Sequence, residues 1–170
     1  TVLRGVVYHS EASNFQTFDK EYLVPQGEYL SYFMTAGLSL FPQAKWQQRV
    51  VEHMSYRSSE EVSYHTQTTT IAPYLFCFEA VNPRGIKAAL QRHDAPYVVH
   101  TVSHAWFSPA PASLQRQLIS MLQVQAAWQA VPILVAGNMA PSFVVTADGT
   151  VRTGATVQAG VGWQVSRIQL

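Results

Sequence analysis

The stretch of sequence that decides the fold is residues 97–135, which read YVVHTVSHAWFSPAPASLQRQLISMLQVQAAWQAVPILV. Its beginning is rich in valine and threonine, residue types that fit the pleated surface of a strand. After a turn with Pro109 and Pro111, residues 112–129 repeat apolar side chains at the spacing of an amphipathic helix. Pro132 forbids continuation of that helix, and the aliphatic run after it predicts a second strand. Strand, helix and strand in this order predict helices layered on a sheet.

The predicted helix over residues 112–129 is expected to bury one side against that sheet. The side chains on this side are Leu114, Leu118, Met121, Leu122, Gln125 and Trp128. Ser108 with the two prolines after it supplies the helix entrance, because serine caps a helix and proline is tolerated in the first turn. The stretch therefore predicts the core of the molecule.

The flanking segments extend the alternation of strands and helices. Residues 74–81 favour a strand, the turn at residues 82–85 precedes a short helix, and Ala147-Asp148-Gly149 between two valine-rich runs predicts a β-hairpin. We expect an α+β (mixed α/β) fold with a single-layer mixed sheet, two or three helices packed on it and a C-terminal β-hairpin lobe over residues 143–170. Residues 1–170 are expected to form a single globular domain, since this length suits one core.

The region upstream of residue 74 is less regular. Residues 28–41 have helical spacing, and Pro25 and Gly27 just before them are expected to mark the helix entrance. Residues 44–56 favour a second helix, with a strand over residues 49–56 as the alternative. Residues 61–71 alternate with period two and are rich in threonine, which predicts a strand.

The composition is low in charge. Of 170 residues, 12% are charged and the net charge is +1, about half the usual charged share. This balance argues against binding to nucleic acid through bulk electrostatics. No window approaches the roughly 18 apolar residues that a membrane span needs. Surfaces this low in charge occur in envelope, secreted and capsid proteins and in assembled subunits, so we expect other protein subunits as partners and an extracytoplasmic location.

Cys77 is the single cysteine, which excludes an internal disulfide and a cysteine-rich zinc site. It lies between aromatic residues, where a small buried hydrophobe is expected. Glu79 is a minor candidate for function, because a partly buried carboxylate has a raised pKa unless it is paired. The P-loop, GxSxG, GxGxxG, HExxH and EF-hand patterns are absent from the sequence, and no cofactor is predicted.

His65, His100 and His104 are the candidate catalytic residues. His100 and His104 have a spacing that would suit a metal on a helix. On a strand, however, they lie about 13 Å apart at roughly 3.3 Å per residue, too far for one ion to bind both. His65 paired with either of them across neighbouring strands could serve as general acid and base instead, because the pKa of histidine lies near neutrality.

The segments around His65 and His100 resemble the paired H-x-T/S signatures of two-histidine phosphoesterases. They depart from that pattern at Gln67 and Val102, where the signature has threonine or serine, and the two segments are also close together in sequence. The resemblance implies a phosphoesterase that uses both histidines. The alternative is that these histidines form hydrogen bonds within a sheet.

An aromatic set in a region with few charges is the candidate interaction surface. Its members are Tyr29, Tyr32, Phe33 and Trp46. Interface cores favour aromatic residues and exclude charge. The alternative is a buried core layer of a helix.

The function that we favour on these grounds is a non-enzymatic protein–protein interaction or assembly domain of a bacterial envelope, secretion, conjugation or pilus system. Residues 149–170, GTVRTGATVQAGVGWQVSRIQL, resemble the small β modules of such assemblies. A viral structural subunit is an alternative with similar composition. A small histidine-dependent hydrolase or phosphoesterase using His65, His100 and His104 is the enzymatic alternative, and a small-ligand binding domain is a further one.

Overall fold

The computed structural model describes residues 4–9, 13–24, 28–40, 49–50, 52, 72–107, 112–161 and 163–167. The chain divides into two compact units, residues 1–66 and 67–170. The predicted helix over residues 44–56 lies in large part outside the described residues, and the predicted strand over residues 61–71 lies wholly outside them. That residues 1–170 form one domain stays a prediction.

Among its described residues, the first unit contains an antiparallel hairpin and one helix whose bounds are described, and residues 49, 50 and 52 are helical as well. Strand β1, Arg4–His9, pairs with β2, Asn14–Asp19. Helix α1, Tyr32–Ser39, begins after Ser31, whose Oγ accepts a hydrogen bond from the Met34 backbone N–H. The predicted helix start at Glu28 is wrong, because serine supplies the cap three residues later.

The second unit is built on a five-stranded mixed sheet with the strand order β3-β4-β5-β6-β7. The strands are β3 Tyr74–Phe76, β4 Val98–Ser103, β5 Ile133–Asn138, β6 Phe143–Val145 and β7 Val151–Arg152. The first three run parallel, and the last two continue the sheet in antiparallel pairs. The α+β fold with a mixed sheet is therefore confirmed.

The parallel strands are joined through helices. A short 3-10 helix, Cys77–Ala80, and helix α2, Pro83–Arg92, connect β3 to β4. A second 3-10 helix, Ala105–Phe107, and helix α3, Ala112–Gln129, connect β4 to β5. Asn82 caps α2 by accepting a hydrogen bond from the Arg84 N–H, and proline at the first helical position needs no donor partner. The described part of the chain thus has three α-helices whose bounds are described, and none of them has the length and apolar character that crossing a bilayer requires.

The core lies between α2, α3 and one face of the sheet. Its central side chains are Leu75, Ile86, Ala89, Val98, Leu122, Ala126, Ile133, Val135, Phe143 and Val145. The predicted bounds of α3 are confirmed, but the predicted buried side is partly wrong. Met121 and Trp128 are exposed, whereas Leu122 and Gln125 are buried. The side of the helix that faces the core therefore contains the small Ala126, which is fully buried, and not Trp128.

The C-terminal residues form two hairpins. The predicted turn at Ala147-Asp148-Gly149 joins β6 to β7, and Gly149 has the positive φ that such a turn needs. The small antiparallel sheet beyond it pairs β8, Ala155–Gly160, with β9, Trp163–Arg167. A shift of register between Thr156 and Gln158 marks a bulge in β8.

Candidate functional site

Cys77 lies on a strained turn where β3 passes into the first 3-10 helix. Its φ is +51°, in the left-handed region that residues with a side chain rarely adopt. The residue is exposed, so the expectation that it is a small buried hydrophobe is wrong. The strand ends at Phe76, five residues before the predicted end at Val81, and the turn that follows places the cysteine outside the core.

Two backbone contacts hold this turn in place. The buried Glu79 carboxylate accepts a hydrogen bond from the Phe76 N–H through Oε2, at 2.9 Å. On the other side, Gly85 of α2 approaches so closely that a Cβ there would lie 2.3 Å from the Glu79 carbonyl oxygen. Glu79, which the sequence singled out as partly buried, therefore acts here on the backbone of the cysteine turn.

His100 also contacts the turn. It lies in the middle of β4, fully buried, with Leu75 and Val135 as its neighbours on the adjacent strands. Its ring Nε2 is 3.0 Å from the Cys77 carbonyl oxygen. A carbonyl oxygen only accepts, so Nε2 carries the proton and donates.

The charge state of His100 follows from its surroundings. Its pKa is lowered to about 4, chiefly by burial and to a smaller extent by the neighbouring His104, while the hydrogen bond to the Cys77 carbonyl opposes the shift. The imidazole is therefore neutral near pH 7.

The pKa of His100 predicts a loss of stability in acid. The unfolded chain binds this proton below its usual pKa of 6.5 and the folded chain only near pH 4. Stability is therefore present above pH 6.5 and falls as the pH is lowered towards 4. At about 1.4 kcal/mol per pKa unit, the loss is on the order of 3 kcal/mol. Urea unfolding at a series of pH values measures it.

The matched variant is His100→Gln, which has no titrating ring. Its free energy of unfolding is expected to change less between pH 6.5 and 4 than that of the wild type. His93, whose pKa burial and Arg92 also lower, contributes with the same sign and remains in the variant. Asp148 has its pKa lowered to about 2 by hydrogen bonds, the largest from Thr146, so its effect begins only in stronger acid. A profile between pH 6.5 and 4 that is the same in both proteins would contradict the assignment of a buried neutral His100.

Polar residues collect where the parallel strands end. β4 ends at Ser103 and β5 at Asn138, which are paired across the sheet. The Asn138 side-chain amide donates to Ser103 Oγ at 3.0 Å, and the Asn138 carbonyl accepts from the His104 N–H at 2.9 Å. Since Cys77 follows the end of β3, all of these groups lie at the carboxyl edge of the parallel strands, where open α/β sheets bind ligands.

The predicted catalytic histidines are only partly placed. His65 lies outside the described residues. His100 is in β4 and His104 directly follows it, and both are buried. Their role as acid and base stays a prediction. Among the described residues, no three side chains of His, Cys, Asp or Glu are arranged to hold a metal ion.

The predicted interaction residues belong to the first unit. Tyr32 and Phe33 at the start of α1 are 97% and 86% exposed, so they are not a core layer of that unit. Tyr29 is half-buried, and Trp46 lies outside the described residues. Their role in an interface stays a prediction.

The first unit also contains an ion pair between the buried Lys20 and the half-buried Glu28. Lys20 Nζ lies 2.5 Å from Glu28 Oε1, and Lys20 is 2% exposed. The second carboxylate oxygen accepts a hydrogen bond from the Val24 N–H at 2.8 Å, and the Glu28 N–H donates to the Val24 carbonyl at 2.9 Å. A lysine is almost never fully buried unless it is paired.

Glu28→Gln is expected to destabilise the first unit by about 3 kcal/mol, because it leaves the Lys20 ammonium buried without its counter-charge. Urea unfolding of the variant measures this loss. The matched control is Glu52→Gln, which changes an exposed carboxylate of the same unit and is expected to cost less than about 1 kcal/mol. Equal losses in the two variants would show that Lys20 does not depend on Glu28.

Comparison with known proteins gives a likeness in fold. No protein-family model and no curated protein sequence matches this chain. Among solved structures, the chain is similar to a carbon–nitrogen hydrolase from Helicobacter pylori G27, with a TM-score of 0.56 and 10% sequence identity. The likeness covers 87% of this chain and 50% of that protein, so the chain spans about half the length of its structural neighbour. At this identity the likeness shows the fold alone.

This likeness corrects the predicted function. The prediction of a structural, non-enzymatic assembly domain of an envelope, secretion, conjugation or pilus system is wrong, as is the viral alternative, because the neighbour points to an enzyme fold. A low charged fraction reflects a large share of apolar residues that the chain must bury. Enzymes and assembly subunits both have such residues, so the charged fraction does not tell the two classes apart.

Sequence reasoning set aside Cys77 and did not single out Lys20 or Glu28. The aromatic residues around Cys77 favoured a buried strand and concealed the turn. The signal that was present is the Asn82-Pro83 helix start a few residues later, which leaves little room for the predicted strand. For Lys20 the signal is the small number of charged residues in the chain. Where charged residues are few, each one is a stronger candidate for a specific role.

Proposed function

We propose that this chain carries the nucleophile of a thiol-dependent hydrolase that cleaves the carbon–nitrogen bond of an amide. The observation that carries the proposal is Cys77, an exposed cysteine held at positive φ where a parallel strand turns into a helix. Hydrolases of other folds place their nucleophile on such a strained strand-to-helix turn, and strained backbone collects at functional sites. The fold likeness to a carbon–nitrogen hydrolase supports the choice of bond.

The reaction proceeds through a covalent intermediate. The Cys77 sulfur, after losing its proton, attacks the amide carbonyl carbon and forms a carbon–sulfur bond. The carbon–nitrogen bond breaks, and the nitrogen leaves as an amine after taking up a proton. Water then attacks the thioester, the carbon–sulfur bond breaks, and the carboxylic acid is released as the thiol is restored.

The experiment that tests the proposal is a panel of primary and N-acyl amides incubated with the protein. Release of ammonia or amine is measured, and the intact protein is weighed by mass spectrometry after an acid quench. We expect an acyl adduct on the peptide that contains Cys77, and no adduct or release after treatment with iodoacetamide. Because Cys77 is the single cysteine of the chain, amide cleavage that survives alkylation would overturn the proposal.

The predicted association with other protein subunits is kept as a separate proposal. The exposed pair Tyr32 and Phe33 supports it, because large aromatic side chains are enriched at protein interfaces. Mass measurement by light scattering after size exclusion, on the wild type and on the double variant Tyr32→Ser/Phe33→Ser, tests it. A wild-type protein that is monomeric and captures no partner counts against it.

A further inference from the structure

We infer that His100 is a positioning residue for Cys77, and that its ring holds the cysteine turn in the conformation that presents the thiol. This inference rests on the proposed function of Cys77 as a nucleophile. In this role His100 donates one fixed hydrogen bond and does not act as a general acid or base.

The backbone at Cys77 needs such a partner. The pairing of β3 with β4 ends at Phe76 and Thr101, so the Cys77 carbonyl lies beyond the last paired residue. The positive φ of Cys77 is energetically costly and persists only where the surroundings hold it. The hydrogen bond from His100 Nε2 to this carbonyl, at 3.0 Å, offsets part of that cost. The bond therefore acts on the one residue whose backbone is strained here.

The other ring nitrogen shows that packing does not explain this histidine. His100 Nδ1 is buried and has no hydrogen-bond partner within the described part of the second unit. A buried polar atom without a partner destabilises the folded state. A leucine or methionine of similar size would fill the same space between the strands without that cost. Stability alone would thus favour an apolar residue, whereas the contact with Cys77 requires a donor.

The ring is suited to a fixed donor. Burial keeps it neutral near pH 7, and with Nε2–H directed at the Cys77 carbonyl the tautomer is set. His104, which follows the strand, is the other titratable group whose charge acts on the ring. A neutral ring inside the sheet holds the carbonyl in one direction without bringing a charge into the core.

Three variants at position 100 test the inference. Glutamine can place its side-chain amide nitrogen about where Nε2 lies, asparagine has a side chain too short to do so, and leucine has no donor. The first readout is the rate of alkylation of the single cysteine by iodoacetamide from pH 6 to pH 10. The second is kcat and KM separately, on an amide substrate that the wild type cleaves. Circular dichroism checks that each variant is folded.

We expect His100→Gln to keep the alkylation profile and kcat within about threefold of the wild type. In His100→Asn and His100→Leu we expect kcat to fall about tenfold or more with little change in KM, because about 1.4 kcal/mol of positioning is a factor of ten in rate. Their alkylation profile should also shift, which a loss of stability alone would not cause. If His100→Leu does not fold, the comparison of His100→Gln with His100→Asn still tests whether the donor at this position is needed.

The two proposals fail separately. A folded asparagine or leucine variant with the alkylation profile and kcat of the wild type overturns the role of His100, whatever the amide panel shows. A wild-type protein that forms no acyl adduct with any amide overturns the proposed hydrolase. In that case an altered alkylation profile in His100→Asn still shows that the ring positions the thiol.

Discussion

Replacing Cys77 by alanine is expected to lower the turnover of an amide substrate at least a thousandfold. The variant has no sulfur to form the acyl intermediate, and removal of a covalent nucleophile costs more than any single supporting contact. Stability should change little, because the side chain is exposed and leaves no cavity. Steady-state release of amine, with urea unfolding on the same samples, measures both effects.

Cys77→Ser and a control at another left-handed position sharpen this experiment. Serine keeps the shape of the side chain but is a weaker nucleophile near neutral pH, so we expect turnover nearly as low as in the alanine variant. Ala130 also has a positive φ, 53°, and is exposed at the opposite edge of the parallel strands. Ala130→Ser should leave turnover unchanged. Residual activity of more than a few per cent in Cys77→Ala would show that another group is the nucleophile.

Gly85→Ala is expected to destabilise the second unit by about 2–3 kcal/mol, the cost of forcing extra volume into a packed region. Its Cβ would lie 2.3 Å from the Glu79 carbonyl oxygen, and because that atom belongs to the backbone it cannot move away as the end of a side chain would. Either α2 or the cysteine turn must shift. We therefore expect slower alkylation of Cys77 along with a lower urea midpoint.

The matched control is Gly37→Ala in α1. A Cβ at Gly37 meets nothing within 4 Å, and alanine is favoured over glycine inside a helix by roughly 0.5–1 kcal/mol. The same substitution should thus stabilise one unit and destabilise the other. A neutral Gly85→Ala variant would mean that α2 and the turn are more loosely packed than their contact indicates.

Much of the fold could be predicted because its helices, strands and turns depend on sequence patterns that extend over only a few residues. The order of β3, α2, β4, α3 and β5, the bounds of α3 and the hairpin at Ala147-Asp148-Gly149 follow from periodicity, proline positions and turn chemistry. The errors arose where a residue's environment depends on a neighbour distant in sequence. Trp128 fitted the apolar side of α3 by spacing, yet the small Ala126 faces the sheet and Trp128 faces outward.

The contacts of the polar residues in each unit were harder to predict for the same reason. Glu28 was expected to start a helix, but its carboxylate binds Lys20 and the backbone of Val24. His100 was expected among reactive groups because histidine titrates near neutrality. Its burial depends on the strands on both sides of it, and this burial lowers its pKa to about 4. The function predicted from composition was wrong, because a low charged fraction does not distinguish an enzyme from an assembly subunit.

The sequence by itself determined that this protein has strands and helices layered around an aliphatic core, because periodicity and chain-breaking residues act within a few positions of each other. Only the tertiary structure decided that Cys77 is exposed on a left-handed turn and that its carbonyl meets the ring of His100. These two residues are 23 positions apart, and they meet only because β3 and β4 lie side by side in parallel. The direction of a side chain at the end of a strand depends on that pairing, which local spacing does not encode.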